Sequence, residues 1–340
     1  MAVMAKTPER PLERGGAARR VGLRLLDQYG IVPVLFIAVF VLFSLASSRF
    51  LTVDNMSNIG QQASVLMIVT MGQALFLITR NFDLSVGANI ALTSVVASMV
   101  MSSTSLAGNT TLAIILGVLA GVGVGVGVGL VNGLLIAGGL SSFIVTLGMT
   151  AVAAGIALIL SGGSPIQGVP QDFIAPLAFH TILGIPTAVV CTVGLLIGFY
   201  VLLNRLVIGR YAFAIGGNQE AARVSGIPVR LTLVKVLVLG SVLTALGGLI
   251  LTARVASGDP NLGGEYPLLS IAAAVLGGVS LAGGVGRLSG MVIAVVFLQV
   301  IQNGLDLLRV SSYVQQIIFG SLLVFALGFD HIRSWLRSKG

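Results

Sequence analysis

Charge is scarce in this sequence: Asp, Glu, Lys and Arg together supply 9% of its 340 residues. A soluble domain carries about 25%, and with 56% hydrophobic residues a water-soluble fold is excluded. One cysteine is present, Cys191, so no disulfide framework can form. It lies in an apolar run and reads as a small packing residue. Nucleotide chemistry has no foothold either. No lysine follows a glycine, which excludes a G-x-x-x-x-G-K-[ST] phosphate loop, and the 45 glycines never fall into G-x-G-x-x-G. No His, Cys and Asp cluster has metal-ligand spacing, and His180 has no second histidine near it. No catalytic residue, metal or cofactor is therefore expected in this chain.

What the chain does contain is a series of apolar stretches close to the ~20 residues needed to cross a bilayer as helix. They place spans near 30–48, 62–79, 85–103, 111–131, 143–160, 186–204, 231–252, 267–282, 288–304 and 314–330. The expected fold is an all-α integral membrane protein of about ten transmembrane helices with both termini cytoplasmic. Residues 1–29 would form a basic cytoplasmic tail ending in a short amphipathic piece, 30–331 the membrane domain and 332–340 a second tail. With this orientation sixteen of the nineteen Lys and Arg lie inside; only Arg49, Arg254 and Arg309 lie outside, as the positive-inside rule requires. Asp54, Asp172, Asp259, Glu265 and Asp306 fall on the outer side, giving that face a mildly negative potential.

Three features go further. Gly117, Gly121, Gly125, Gly129 and Gly133 recur every fourth residue, a small-xxx-small stripe that lets another helix approach closely. It serves packing within the chain, a pathway or a subunit interface. Second, the apolar spans break at Thr79–Gly87, where Asp83 opens the next helix. A carboxylate there complements the positive end of the helix dipole, or it lines a route, since broken helices surround transport pathways. Third, the longest inner loop, 206–230, holds a possible turn at Gly216, Gly217 and Asn218. A short helix, Gln219 to Val224, follows and is stopped by Gly226 and Pro228. Flanked by arginines at the cytosolic surface, that helix is placed to dock into something.

These same stretches carry a resemblance. Glu220-Ala221-Ala222 followed by Gly226 is similar to the E-A-A-x-x-x-G loop of ABC importer permeases. NFDLSVG (Asn81 to Gly87) looks like the G-I-D-L-S-V-G segment of ribose-type sugar permeases. NGLLIA (Asn132 to Ala137), FIVTLG (Phe143 to Gly148), GRYAFAIGGNQEAARVSGI (Gly209 to Ile227), AAAVLGGVSLAGGVGR (Ala272 to Arg287) and NGLDLLRVSSY (Asn303 to Tyr313) match as well. Only the basic tail is left uncovered. The chain departs from the pattern at Phe82, where isoleucine is commoner, and at Ser141-Ser142, which replaces a frequent Pro-Pro.

The resemblance implies a homodimer with a translocation path for a monosaccharide, a polyol or nucleoside being the alternative cargo. It also implies a periplasmic sugar-binding protein at loops 161–185 and 253–266, and a cytoplasmic ATPase that holds ATP and Mg. The loop carrying Gly216, Gly217, Asn218, Glu220, Ala221, Ala222 and Gly226 would be the coupling helix. Asn81, Phe82, Asp83, Ser85, Asn132, Phe143 and Asn303 are pathway candidates, because a sugar asks for hydroxyl and amide partners; Asn89, Gln299 and Gln302 share that chemistry. An ion-coupled secondary carrier is the rival reading, but it needs several intramembrane carboxylates and only Asp83 qualifies.

Overall fold

The computed structural model describes residues 32–106, 108–322 and 324. The basic tail 1–29, its amphipathic end and the C-terminal tail 332–340 lie outside them. The helices are α1 (Val32–Ala46), α2 (Val53–Ile78), α3 (Val86–Met101), α4 (Thr110–Ala137), α5 (Ser142–Ser161) and α6 (Gln171–Ala178). They continue as α7 (Thr187–Asn204), α8 (Val207–Gly217), α9 (Gln219–Val224), α10 (Val229–Val255), α11 (Tyr266–Leu276) and α12 (Leu288–Leu307). A two-stranded hairpin, β1 (Thr181–Ile182) and β2 (Ile185–Pro186), sits between α6 and α7. Residues 312–322 are helical again.

Among the described residues six helices are long and apolar enough to cross a membrane: α2, α4, α5, α7, α10 and α12. The apolar helices α1, α3 and α11 are shorter. α2 starts nine residues before the expected span, because capping chemistry rather than hydropathy sets its first turn. The Thr52 side chain accepts from the Asn55 N–H, and Asp54 occupies the positive end of the dipole. α11 is shorter than expected. Gly277 and Gly278, the latter at φ 86°, end it at Leu276, and 277–287 is a loop.

α10 is the central post, packed on α4, α2 and α3, while α2 also meets α11, α12 and α7. Glycine makes the closest of these contacts possible. A Cβ at Gly72 of α2 would lie 2.5 Å from the Gly240 carbonyl oxygen of α10. Along α4 the five-glycine stripe faces inward. Cβ atoms at Gly125 and Gly129 would come within 2.7 Å of Ala245 Cβ and Val238 Cα, and Gly121 would meet Leu249 and Thr93 at 3.0 and 3.2 Å. The intervening Gly123 and Gly127 have open space instead. The opposite faces of α4, α5 and α7 present large apolar side chains such as Leu119, Ile159 and Ile197, as a hydrocarbon surrounding demands. Cys191 is exposed on that outer surface of α7 rather than packed inside.

Candidate functional site

Two interrupted helices begin side by side. α2 ends with Thr79 as its cap and Arg80 in the left-handed region at φ 63°; Arg80 N–H donates to Leu77 O and Asn81 N–H to Phe76 O. The chain then runs without helix to Ser85. Two of its backbone groups are met by side chains of a neighbouring helix, as polar groups at membrane depth require. Phe82 N–H donates to Ser142 Oγ at 3.2 Å and Thr150 Oγ donates to the Leu84 carbonyl at 3.0 Å, both groups on α5.

The approach to α11 is likewise non-helical. Residues 256–265 run along α3, where Asp259 N–H donates to Ser94 Oγ. A Cβ at Gly258 would lie 2.6 Å from Ser98 Cβ, and one at Gly87 would lie 2.6 Å from the Gly263 carbonyl oxygen. Thus α3 and α11 start beside each other inside the bundle. Paired broken helices of this sort mark the binding region in many transporters.

At the start of α3 a buried polar cluster forms. Asp83, Ser85 and Asn132 are at most 1% exposed. Ser85 donates both its N–H (2.8 Å) and its hydroxyl to Asp83 Oδ1, and Asn132 Nδ2 donates to Ser85 Oγ at 3.1 Å. Asp83 Oδ2 and Asn132 Oδ1 are buried with no partner. Asp83 is therefore not in the expected first turn of α3: it lies two residues before the N-cap residue Ser85 and holds that residue from within the protein, and Arg80 makes no ion pair with it. Asn89, one turn further on, donates to the Ser241 carbonyl of α10 at 3.0 Å.

The remaining pathway candidates do not join this cluster. Asn81 is half-buried and donates back to Thr79. Phe82 packs at the edge of the main apolar core. Phe143 is 54% exposed on the outer face of α5. Asn303 of α12 makes a reciprocal amide pair with Asn55 at 2.9 and 2.8 Å. That pair lies near the first turn of α2, about 35 Å along the helix from its last residue, Ile78, at 1.5 Å per residue. Nearby, Arg254 donates to Asn58 at 2.7 Å, and Gln62 donates to the same Asn58 oxygen.

Sequence reasoning missed Asn55, Asn58 and Thr150, and read Ser142 only as a change of helix start. The polar run Val53–Gln62 was the available signal for the first two. Gln73 and Thr70, buried in α2 without side-chain partners, gave none, being single polar residues in an apolar run.

The surface helix α9 has the bounds expected from its sequence. Asn218 caps it, its Oδ1 accepting from Ala221 N–H at 2.9 Å. Gly226, at φ 81°, closes it with Gly226 N–H to Arg223 O and Ile227 N–H to Ala222 O, a left-handed cap that glycine adopts without strain. Ala222 is buried beside Ile215, Val229 and Leu233. Glu220 and Arg223 pair on the exposed side at 2.8 Å, with Val224 81% exposed between helix and solvent. Gly216 and Gly217 are not the turn; they end α8. Gly216 is buried because its backbone touches another backbone: a Cβ there would sit on the Ile78 carbonyl oxygen and 2.5 Å from Gly284 N. Ile78 O in turn accepts from Gly284 N–H. The end of α8, which leads into the surface helix, is thereby seated on the end of α2 and on the loop before α12.

A family profile described as branched-chain amino acid transport system / permease component matches residues 55–327. The L-arabinose transport system permease protein of Escherichia coli is 37% identical over 311 residues, 91% of this chain and 92% of the relative. The ribose import permease protein of Bacillus subtilis is 40% identical, covering 91% and 94%. The galactose/methyl galactoside import permease protein of Escherichia coli is 36% identical, covering 93% and 97%. No solved structure matches the chain.

Proposed function

Because the chain belongs to the transport-system permease component family, we propose that it is the membrane permease of an ABC importer, carrying a monosaccharide across the bacterial inner membrane. The observation that carries this is full-length likeness to sugar permeases, at 36–40% identity over 91–93% of the chain. The family's description names branched-chain amino acids, but the sugar reading rests on these relatives. Ten transmembrane helices with both termini cytoplasmic agree with the distribution of Lys and Arg.

In this reading two copies pair around the path, a periplasmic sugar-binding protein docks outside, and a cytoplasmic ATPase with ATP and Mg docks on α9. Glu220, Arg223 and Val224 would meet the ATPase. The groove lined by Arg223, Pro228, Val229, Arg230 and Leu231 would take an acidic edge of it. Motion of α9 would pass through Gly216 to the end of α2 and the loop before α12, reaching both interrupted helices. The 79–82 and 256–265 segments are the parts of the path where irregular backbone and amide groups can face a sugar.

Purification in mild detergent from native membranes tests the assembly: a stoichiometric ATPase should accompany the wild type and be lost with Glu220→Arg. Uptake of labelled pentoses and hexoses should be abolished by Glu220→Arg or Gly226→Trp while membrane insertion stays normal. Unimpaired uptake by these variants would refute the role of α9. Repeated absence of any ATPase would favour an ion-coupled carrier instead.

A further inference from the structure

Asp83, Ser85 and Asn132 pose a counting problem that one hydrogen atom solves. Along the chain of bonds, Asn132 Nδ2 donates to Ser85 Oγ and Ser85 Oγ donates to Asp83 Oδ1. The two ends left over are Asp83 Oδ2 and Asn132 Oδ1, both buried and both without a donor. A carboxylate in this position would have one bare oxygen and no countercharge, and its neighbour would be a second bare acceptor. Burying such groups unpaired is costly.

Among the described residues no ion pair reaches Asp83. Residues 84–171, which include all of α3, α4 and α5, contain no Asp, Glu, Lys, Arg or His. Arg80 is exposed and its stem lies against Gly283. On α10, Arg230 and Lys235 are exposed and Arg254 is bonded to Asn58. On α9, Glu220 and Arg223 satisfy each other.

We infer that Asp83 is held as the neutral acid, its Oδ2 proton donated to Asn132 Oδ1, closing a ring of three side chains that pins the start of α3 to α4. In the closed ring each member both donates and accepts: Asn132 to Ser85, Ser85 to Asp83, Asp83 back to Asn132. The proton is structural and stays in place; Asp83 is a positioning residue, and the ring works whatever the cargo. The competing arrangement turns the Asn132 amide round so that its nitrogen donates to an ionised Asp83, since amide orientation follows from the hydrogen-bond network.

Infrared difference spectra and one isosteric variant separate the two. In purified wild type minus Asp83→Asn at neutral pH, the neutral acid gives a protonated-carboxyl C=O band that shifts in deuterium oxide. The paired bands of a carboxylate in that spectrum would overturn the proposal. Asn at 83 supplies an N–H where the acid supplies O–H, so Asp83→Asn should keep uptake within about threefold of wild type. Asp83→Ala and Asn132→Leu, which strand buried partners, should lose about tenfold or more. An Asp83→Asn variant as impaired as Asp83→Ala, in uptake or in membrane abundance, would also overturn it.

Discussion

Two of the six long apolar helices among the described residues are buried to very different degrees. In the most apolar stretch of α2, 83% of residues are buried inside the protein; in that of α4 the figure is 28%. Yet α2 is the less hydrophobic of the two, and it is the one that holds Ser64, Thr70 and Gln73 in its buried face. In water the order would be reversed. In a bilayer the surrounding hydrocarbon already satisfies leucine and valine, so helices are drawn inward by close packing and by polar groups that need partners. Hydropathy finds both spans, but small and polar residues decide which one is central.

The comparison breaks hardest at the glycine where α8 meets the end of α2. Gly216→Ala puts a methyl onto the Ile78 carbonyl, where backbone rather than a movable side chain must yield. A loss of about 3 kcal/mol is expected, read as a collapse in the yield of monodisperse protein. A sharper form uses two positions on α4. Gly125→Val collides with Ala245 and Val242 of α10 and should cost about 2 kcal/mol, whereas Gly123→Val faces open space and should stay within about 0.5 kcal/mol. Thermal unfolding of both in one detergent checks the pair, and equal losses would mean that α4 is enclosed on both sides. A weaker effect than the Gly125→Val loss concerns the polar ties of α2: a double-mutant cycle on Asn55 and Asn303 should return a coupling of about 0.6–1 kcal/mol.

Much of the helical layout was legible because apolar run length and turn residues are local signals. The bounds of α9 followed from Asn218 and Gly226, both of which act through bonds to their own helix. The start of α2 was misjudged because a cap in a polar stretch outweighs a falling hydropathy, and α11 because a pair of glycines stops a helix that its apolar residues would continue. The site was only partly readable for a different reason. That Asn132 would meet Ser85, while Asn303 would meet Asn55, depends on contacts 47 and 248 residues apart in sequence. Nothing local distinguishes one asparagine from the other. Gly216 had the right identity for an unexpected purpose: its missing side chain makes room for another segment instead of permitting a bend.

The long stretch from 84 to 171 without a formal charge has an electrical consequence. A membrane potential does work of about 2.3 kcal/mol per elementary charge per 100 mV, and on α3, α4 and α5 it finds nothing to pull. With Asp83 neutral, these helices can tilt or slide across the field without registering it. Their movement would be blind to voltage, so the energisation of the cell cannot bias it directly, and whatever force drives them has to arrive by touch.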